Sequence, residues 1–315
     1  PWEYSVDHFV GQESCRFIRE HGNEGPFAMM IGFPGPHCPY DPSPEFLSPF
    51  DAEDMPEPAP EVKEDAPGLR QRNIEGNRLP WNGVDHSEFT TEQKKKIRAH
   101  YAGLVKQIDY EMGQILDALR EKGLLDNTII IFSSDHGDYL GDHNLIGKGT
   151  FFEASYHVPL LVYLPWADGP TTNQELVTLG DVTATILQLA GCRVPDYADS
   201  IPLPDLGIED REPRERVIGI LQGGWVIHDG EWRLSKYATG ERLLFNTHDD
   251  PMEQNNLIDD PRCAQIVRGL DMELTQAMMQ SINDAFYDRR VYTSDLSQTT
   301  AFGREGWQRP YPRAR

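Results

Sequence analysis

The chain has 315 residues, 51 of them acidic and 29 basic, for a formal charge of −22. A charge of that sign excludes nucleic acid and anionic membrane surfaces as partners. No apolar run approaches the roughly 18–20 residues of a membrane span. The four cysteines, Cys15, Cys38, Cys192 and Cys263, lack the C-x-x-C spacing of a zinc or redox motif. The length suits a large α/β domain with or without a small one. Pro1 reads as the middle of a fold, with no signal peptide before it, so no compartment is assigned.

In chain order, residues 5–21 predict a helix with Phe9, Phe17 and Ile18 on its apolar face and Gly22 as its stop. Phe27 to Phe33 (FAMMIGF) predicts a buried strand, placing His37 of P-H-C-P-Y just past its carboxyl end. Residues 51–67 are acidic and proline-rich and predict an extended surface loop. Residues 70–84 read as irregular, with Trp81 anchoring the loop. Thr90-x-x-Gln93 is a capping box, and Gly123 marks the end of the helix it opens. Ile97, Tyr101, Leu104, Val105, Ile108, Met112, Ile115, Leu116 and Leu119 form one continuous stripe between them, which predicts a long helix packed on a sheet.

Residues 128–153, TIIIFSSDHGDYLGDHNLIGKGTFFE, are the stretch the chain is organised around. Thr128 to Phe132 predicts a strand buried on both faces, as in a parallel sheet. Polarity then changes abruptly: Asp135, His136, Asp138, Asp142, His143 and Lys148 follow, punctuated by Gly137, Gly141, Gly147 and Gly149. Ligand sites of open α/β sheets lie at the carboxyl ends of strands. Asp and His suit a hard or borderline metal ion, and glycines let backbone turn tightly around an ion. Val158 to Leu164 predicts another strand; were it parallel, His157 would lie at the end away from this loop.

Residues 181–190 predict a short helix. From Arg216, short strands separated by Gly-Gly, Asp229-Gly230 and Thr-Gly predict an antiparallel meander, followed by a helix over about 260–282. Asp249, Asp250 and Glu253 suit turn and capping duty. Residues 284–315 carry aromatic and arginine residues and predict a tail docked on the body or on a second subunit.

The segment SSDHGDYLGDHNLIGKGTFFE with VPLLVYLP, the P-H-C-P-Y turn and the D-D-P-M-E-Q-N-N-L phrase resemble the type I sulfatase branch of the alkaline-phosphatase superfamily, near choline-sulfatase-like enzymes, arylsulfatases and phosphonate monoester hydrolases. The resemblance covers most of the chain. It implies an α/β fold: an alkaline-phosphatase-like wound sheet flanked by helices, then a small C-terminal antiparallel sheet plus helix. The expected layout is a core over 1–212 lacking its N-terminal part, a subdomain over 213–283 and the tail over 284–315. It also implies that Asp135 and His136 bind a divalent cation, calcium first, with manganese or magnesium as alternatives. Lys148 would contact the transferred group and His37 the leaving oxygen, with Asp138 and His143 behind them.

The implied reaction is metal-dependent hydrolysis of a small sulfate monoester. The alternatives are a phosphonate monoester or phosphodiester hydrolase, and a non-catalytic metal-binding or interaction protein. The family's nucleophile motif, C-x-[PAS]-x-R or S-x-P-x-R with the cysteine converted to formylglycine, does not occur in 1–315, and the Asp-Asp pair that completes the metal site near the family's N-terminus has no counterpart here. The expectation is therefore that a separate N-terminal segment or chain carries them, and that 1–315 alone is inactive.

Overall fold

The structure, a computed structural model, describes residues 2–62, 66–80, 83–195, 198–206, 211–221 and 223–289, with the backbone alone for 284–289. Trp81 and residues 290–315 of the expected tail lie outside the described residues, and 284–289 of that tail are helical instead. The chain divides into two compact units between Thr171 and Thr172. No described helix is long and apolar enough to cross a membrane.

The first unit runs α1 (Val6–His21), α2 (Pro44–Leu47), α3 (Pro67–Arg78), α4 (Thr91–Glu121), β1 (Ile130–Ser133), α5 (Glu153–Tyr156) and β2 (Leu160–Tyr163). In α4 the capping box forms as the sequence predicts: Thr90 Oγ1 accepts from Gln93 N at 3.2 Å, and Gln93 Oε1 accepts from Thr90 N at 2.8 Å. Such a cap stabilises a helix by about 1 kcal/mol. Gly123 follows at φ +67, a conformation glycine adopts without strain.

Ile115, Ala118 and Leu119 of α4 meet Cys15 and Ile18 of α1 in a core onto which Phe27, Ile31, Phe33 and Ile130 pack. Burial of each large side chain there contributes roughly 1.5–3 kcal/mol. The face of α1 that packs on α4 keeps Ile18 of the expected stripe but leaves out Phe9. Phe9 is 63% exposed, whereas Asp7, Gly11, Ser14, Cys15 and Ile18 are buried. Gly11 explains why: a Cβ there would lie 2.0 Å from Oε2 of Glu111 on α4, so the helices meet through a glycine against a buried carboxylate.

Three expectations for this unit are corrected. Phe27 to Phe33 belongs to no sheet; Phe27, Ile31 and Phe33 pack on the helix core while Met30 stays 98% exposed. An apolar run supplies strand propensity, but a strand also needs a neighbouring ladder. Secondly, β1 and β2 pair antiparallel, with Ser133 opposite Leu160, and β1 is half-buried. The amino end of β2 therefore lies beside the carboxyl end of β1, bringing His157 to the same edge as Asp135. Thirdly, α3 occupies part of the stretch read as irregular. It begins at Pro67, which suits a first helical position, and it buries Leu69, Arg70 and Asn77.

The second unit contains α6 (Leu179–Leu189), the sheet β3 (Val217–Leu221), β4 (Gly224–His228), β5 (Trp232–Tyr237), β6 (Arg242–Asn246), and α7 (Ala264–Arg289). The strands pair in chain order, all antiparallel, as their turn residues predict. Gly230, at φ +94, makes the Asp229-Gly230 turn. Leu270 and Leu274 of α7 close over Ile227, Leu234 and Leu244 on one sheet face. Asp250 takes the turn duty expected of it, its Oδ2 accepting from Asn255 N at 2.7 Å.

Candidate functional site

Two loops form the site. Residues 34–41 follow the 27–33 segment, and residues 134–152 follow β1. The first is held to the helix layer: Gly35 N donates to the buried Asp7 carboxylate of α1 at 3.0 Å, and His100 Nδ1 on α4 donates to the Tyr40 carbonyl at 2.8 Å. The second turns back on itself, Tyr139 N donating to Gly147 O at 2.9 Å. Lys148 is carried between Gly147 and Gly149, at φ +76 and +125. Side chains other than glycine are strained at such angles. The lysine is thus displayed by a turn that its neighbours alone permit.

Four of the predicted site residues come together. Lys148 Nζ lies 2.6 Å from His37 Nε2, joining positions 111 residues apart. The His37 and His136 rings stand edge to face with centroids 6.5 Å apart. His136 Nε2 is 3.5 Å from Asp135 Oδ2. Tautomers follow from the partners. A carbonyl oxygen can only accept, so His37 Nδ1 donates to Cys38 O at 2.7 Å and its Nε2 receives the lysine proton. Likewise His136 Nδ1 donates to Gly137 O at 2.8 Å, which leaves Nε2 as the ring atom facing Asp135.

Asp135 and His136 fit a divalent cation in chemistry and in spacing. Donors bound at about 2.0–2.6 Å to one ion stand roughly 3–3.5 Å apart when adjacent. Asp135 is exposed and its Oδ1 accepts the His136 backbone N–H at 2.9 Å, which fixes the carboxylate beside the ring. Among the described residues no third Asp, Glu, His or Cys joins them. Two protein ligands bind an ion weakly.

Asp138 stands behind the cluster. Its Oδ2 accepts from Tyr40 Oη at 2.8 Å, and its Oδ1 from Leu140 N and Gly147 N, both at 3.0 Å. Burial pushes this carboxyl up from the ordinary range, against the pull of those three donors and of the Lys148 charge. Burial also raises the Tyr40 phenol, helped by the adjacent Asp138 charge. His143 is a joint of the loop: its ring stacks on Phe152 with centroids 4.2 Å apart, its N–H donates to Ala59 O, and its carbonyl accepts from Arg70. Asp142 accepts from Ala59 N and from Arg98 of α4. The acidic, proline-rich segment is therefore pinned at Ala59 to the site loop, beyond the plain surface loop its composition predicts.

Tyr40 is the residue that sequence reasoning missed. It sits in the P-H-C-P-Y turn, three positions after His37, and an aromatic hydroxyl there was the available signal. His157, placed at this edge by the antiparallel pairing, bonds Glu153 through Nδ1 at 2.5 Å.

The chain matches a family model described as Sulfatase over residues 3–192. It is 31% identical over 274 residues to an arylsulfatase of Clostridium perfringens (strain 13 / Type A), covering 82% of this chain and 56% of that protein. It is 31% identical over 317 residues to a choline-sulfatase of Rhizobium meliloti (strain 1021), covering 95% of this chain and 59% of that one. Among solved structures, the phosphonate monoester hydrolase of Agrobacterium radiobacter superposes with a TM-score of 0.74 at 26% identity, over 89% of this chain and 61% of that chain. The α/β, alkaline-phosphatase-like fold class expected from the sequence stands, with the pairing of β1 and β2 as its correction. The chain spans less than two thirds of the length of these relatives.

Proposed function

The chain belongs to the type I sulfatase family, and from that premise we propose that it supplies the anion-binding and leaving-group side of a site that hydrolyses sulfate monoesters. The observation that carries this reading is the 2.6 Å contact between Lys148 Nζ and His37 Nε2 beside Asp135 and His136. An ammonium group presented on a glycine-flanked turn can turn from the imidazole to a sulfuryl oxygen and offset its negative charge. His37 holds Nδ1–H on the Cys38 carbonyl, so its Nε2 is the position from which a proton reaches the leaving oxygen. Lys148 keeps its proton and its charge for the sulfuryl oxygens, so the proton that His37 passes from Nε2 is one it first takes up from solvent once the lysine has turned away. Protonation of the leaving alkoxide or phenoxide contributes about 10²–10⁴-fold in such reactions.

Asp135 would offer carboxylate oxygen to a divalent cation, calcium or else manganese or magnesium, and His136 its Nε2. When bound, such an ion lowers the charge barrier at the sulfuryl oxygens and the nucleophile. The nucleophile itself comes from outside residues 1–315 in this reading, because no C-x-[PAS]-x-R or S-x-P-x-R motif occurs within them.

The test is turnover of an aryl sulfate by the chain alone and by the chain joined to a segment bearing that motif and an Asp-Asp pair. Residues 1–315 alone are expected to be inactive and the joined protein active. Lys148→Ala and His37→Ala should each lower kcat/KM by about 100-fold or more. Full activity in either variant would defeat the assignment. Continued inactivity of the joined protein would favour a non-catalytic interaction protein.

A second reading, phosphonate monoester or phosphodiester hydrolysis, is supported by the likeness to the phosphonate monoester hydrolase structure. Sulfate monoesters and phosphodiesters carry the same charge, and Lys148 serves either. A clear preference of the joined protein for an aryl phosphonate ester would select it.

A further inference from the structure

We propose that Tyr40 and Asp138 form a positioning pair whose hydrogen bond sets the distance between His37 and Lys148. The purpose of that distance rests on the sulfate-ester reading above; the pair itself rests on geometry. The loops carrying the two residues, 34–41 and 134–152, contain no strand, and the 134–152 loop holds one short 3-10 turn, Asp142–Asn144. Neither loop is fixed by a ladder, so side chains must set their separation. The loops are joined by the contact of Lys148 with His37 and by the hydrogen bond of Tyr40 with Asp138. The first is made by exposed ends of side chains that must move when substrate enters. The second is part-buried and leaves both functional groups free.

Each member of the pair is anchored on its far side. The Tyr40 carbonyl accepts from His100 of α4, so the ring rises from a fixed point on the long helix. It also lies edge to face with Tyr101 of the same helix, centroids 6.3 Å apart. Asp138 uses its other oxygen to bridge Leu140 N and Gly147 N, the outgoing and returning halves of the lysine loop. Gly147 immediately precedes Lys148. The path from α4 to the lysine is therefore His100, Tyr40, Asp138, Gly147, with every link a hydrogen bond of 2.8–3.0 Å. His37 lies three residues before Tyr40 on the same anchored loop. Positioning by such a path needs the hydroxyl itself; a phenyl ring would fill the same space without the link.

The experiment is competitive acetylation of the lysines of the folded chain with trace acetic anhydride, read by mass spectrometry. This measures how accessible and how engaged each ammonium group is, without requiring turnover or a bound anion. Tyr40→Phe should raise the labelling of Lys148 about three- to tenfold, the range a single net hydrogen bond spans. Lys94, Lys95 and Lys236 should keep their wild-type rates. Asp138→Asn, which retains shape but exchanges an acceptor oxygen for an amide, should act in the same direction. His37→Ala releases Lys148 directly. Adding Tyr40→Phe to it should produce no further rise, because the pair acts through the His37–Lys148 contact.

Unchanged Lys148 labelling in folded Tyr40→Phe would overturn the proposal. So would a rise shared by all the lysines, the pattern of general loosening. Should Asp138→Asn fail to fold, Tyr40→Phe decides alone. A failure of sulfate hydrolysis would leave this labelling result standing, and wild-type labelling in Tyr40→Phe would leave the hydrolysis result standing, so the two ideas fail separately.

Discussion

The α1–α4 helix layer and the β3–β6 meander each bury a glutamate, and they satisfy it differently. At the meander Glu253, beyond the end of β6, pairs with Arg233 of β5, both side chains 2% exposed, across 20 residues of sequence. In the helix layer Glu111, with a side chain 0% exposed, takes His8 Nδ1 at 2.9 Å and Gln12 Nε2 at 3.3 Å from α1, about 100 positions away. The first arrangement is one strong ion pair at a locally paired sheet. The second depends on two helices meeting at one glycine. A buried charge thus follows the kind of contact around it: short-range where turns fix the partner, long-range where packing does.

The largest effect should come from breaking the local pair. Arg233→Met leaves Glu253 buried without its guanidinium and should cost about 3–5 kcal/mol of unfolding free energy. Urea unfolding followed by tryptophan fluorescence would measure this, with Trp225 and Trp232 in that sheet as reporters. A loss under about 1 kcal/mol would show that the pair stands in better contact with water than its burial implies.

Next comes Gly11→Ala, which sharpens the contrast from the helix side. The added methyl must displace Glu111, and overpacking of this kind costs about 1–3 kcal/mol. The same urea titration, read at a probe in the first unit, should move. A neutral result would mean that the Glu111 side chain swings aside freely and that α1 and α4 do not depend on the close approach.

The smallest effect concerns pH and lies in the same unit as the helix layer. His86 is 1% exposed, and both ring nitrogens are buried without a hydrogen-bond partner among the described residues. Burial holds its imidazole below the ordinary histidine value, with Lys94 and Arg78 adding to the shift and Asp85 opposing it. The folded chain therefore resists the proton that the unfolded chain takes near pH 6.5. Its contribution to stability is fully present above that pH and is lost as pH falls toward the depressed folded value. His86→Phe should flatten the loss of stability between about pH 7 and pH 5. An unchanged slope would assign the acid sensitivity elsewhere.

Much of the meander was legible because its signals are local. Asp229-Gly230 sets a tight turn, the short turns set the register, and consecutive strands pair as neighbours. The Thr90 cap and most of the apolar stripe of α4 were legible for the same reason, although Val105 is 46% exposed and α4 packs chiefly on α1 instead of a sheet. Glu111 and Gln107, buried within that stripe, were not legible. Their burial depends on what faces them, and nothing near them in sequence carries that information. Segment 27–33 shows the opposite failure. FAMMIGF has the composition of a buried strand, but hydrogen-bonded pairing is a property of two segments.

By itself the sequence determined the glycine-hinged polar loop, the residue types that can hold a cation or an anion, and the capped helix and hairpins around them. It did so because each of those features is decided within a few residues by backbone sterics, capping or turn chemistry. The tertiary structure decided which of them meet. It brought Lys148 onto His37, tied Tyr40 to Asp138, and turned β2 antiparallel so that His157 shares the edge of Asp135. Those contacts span from about 20 to more than 100 residues, and they form only once helix packing has supplied the free energy to close the intervening loops.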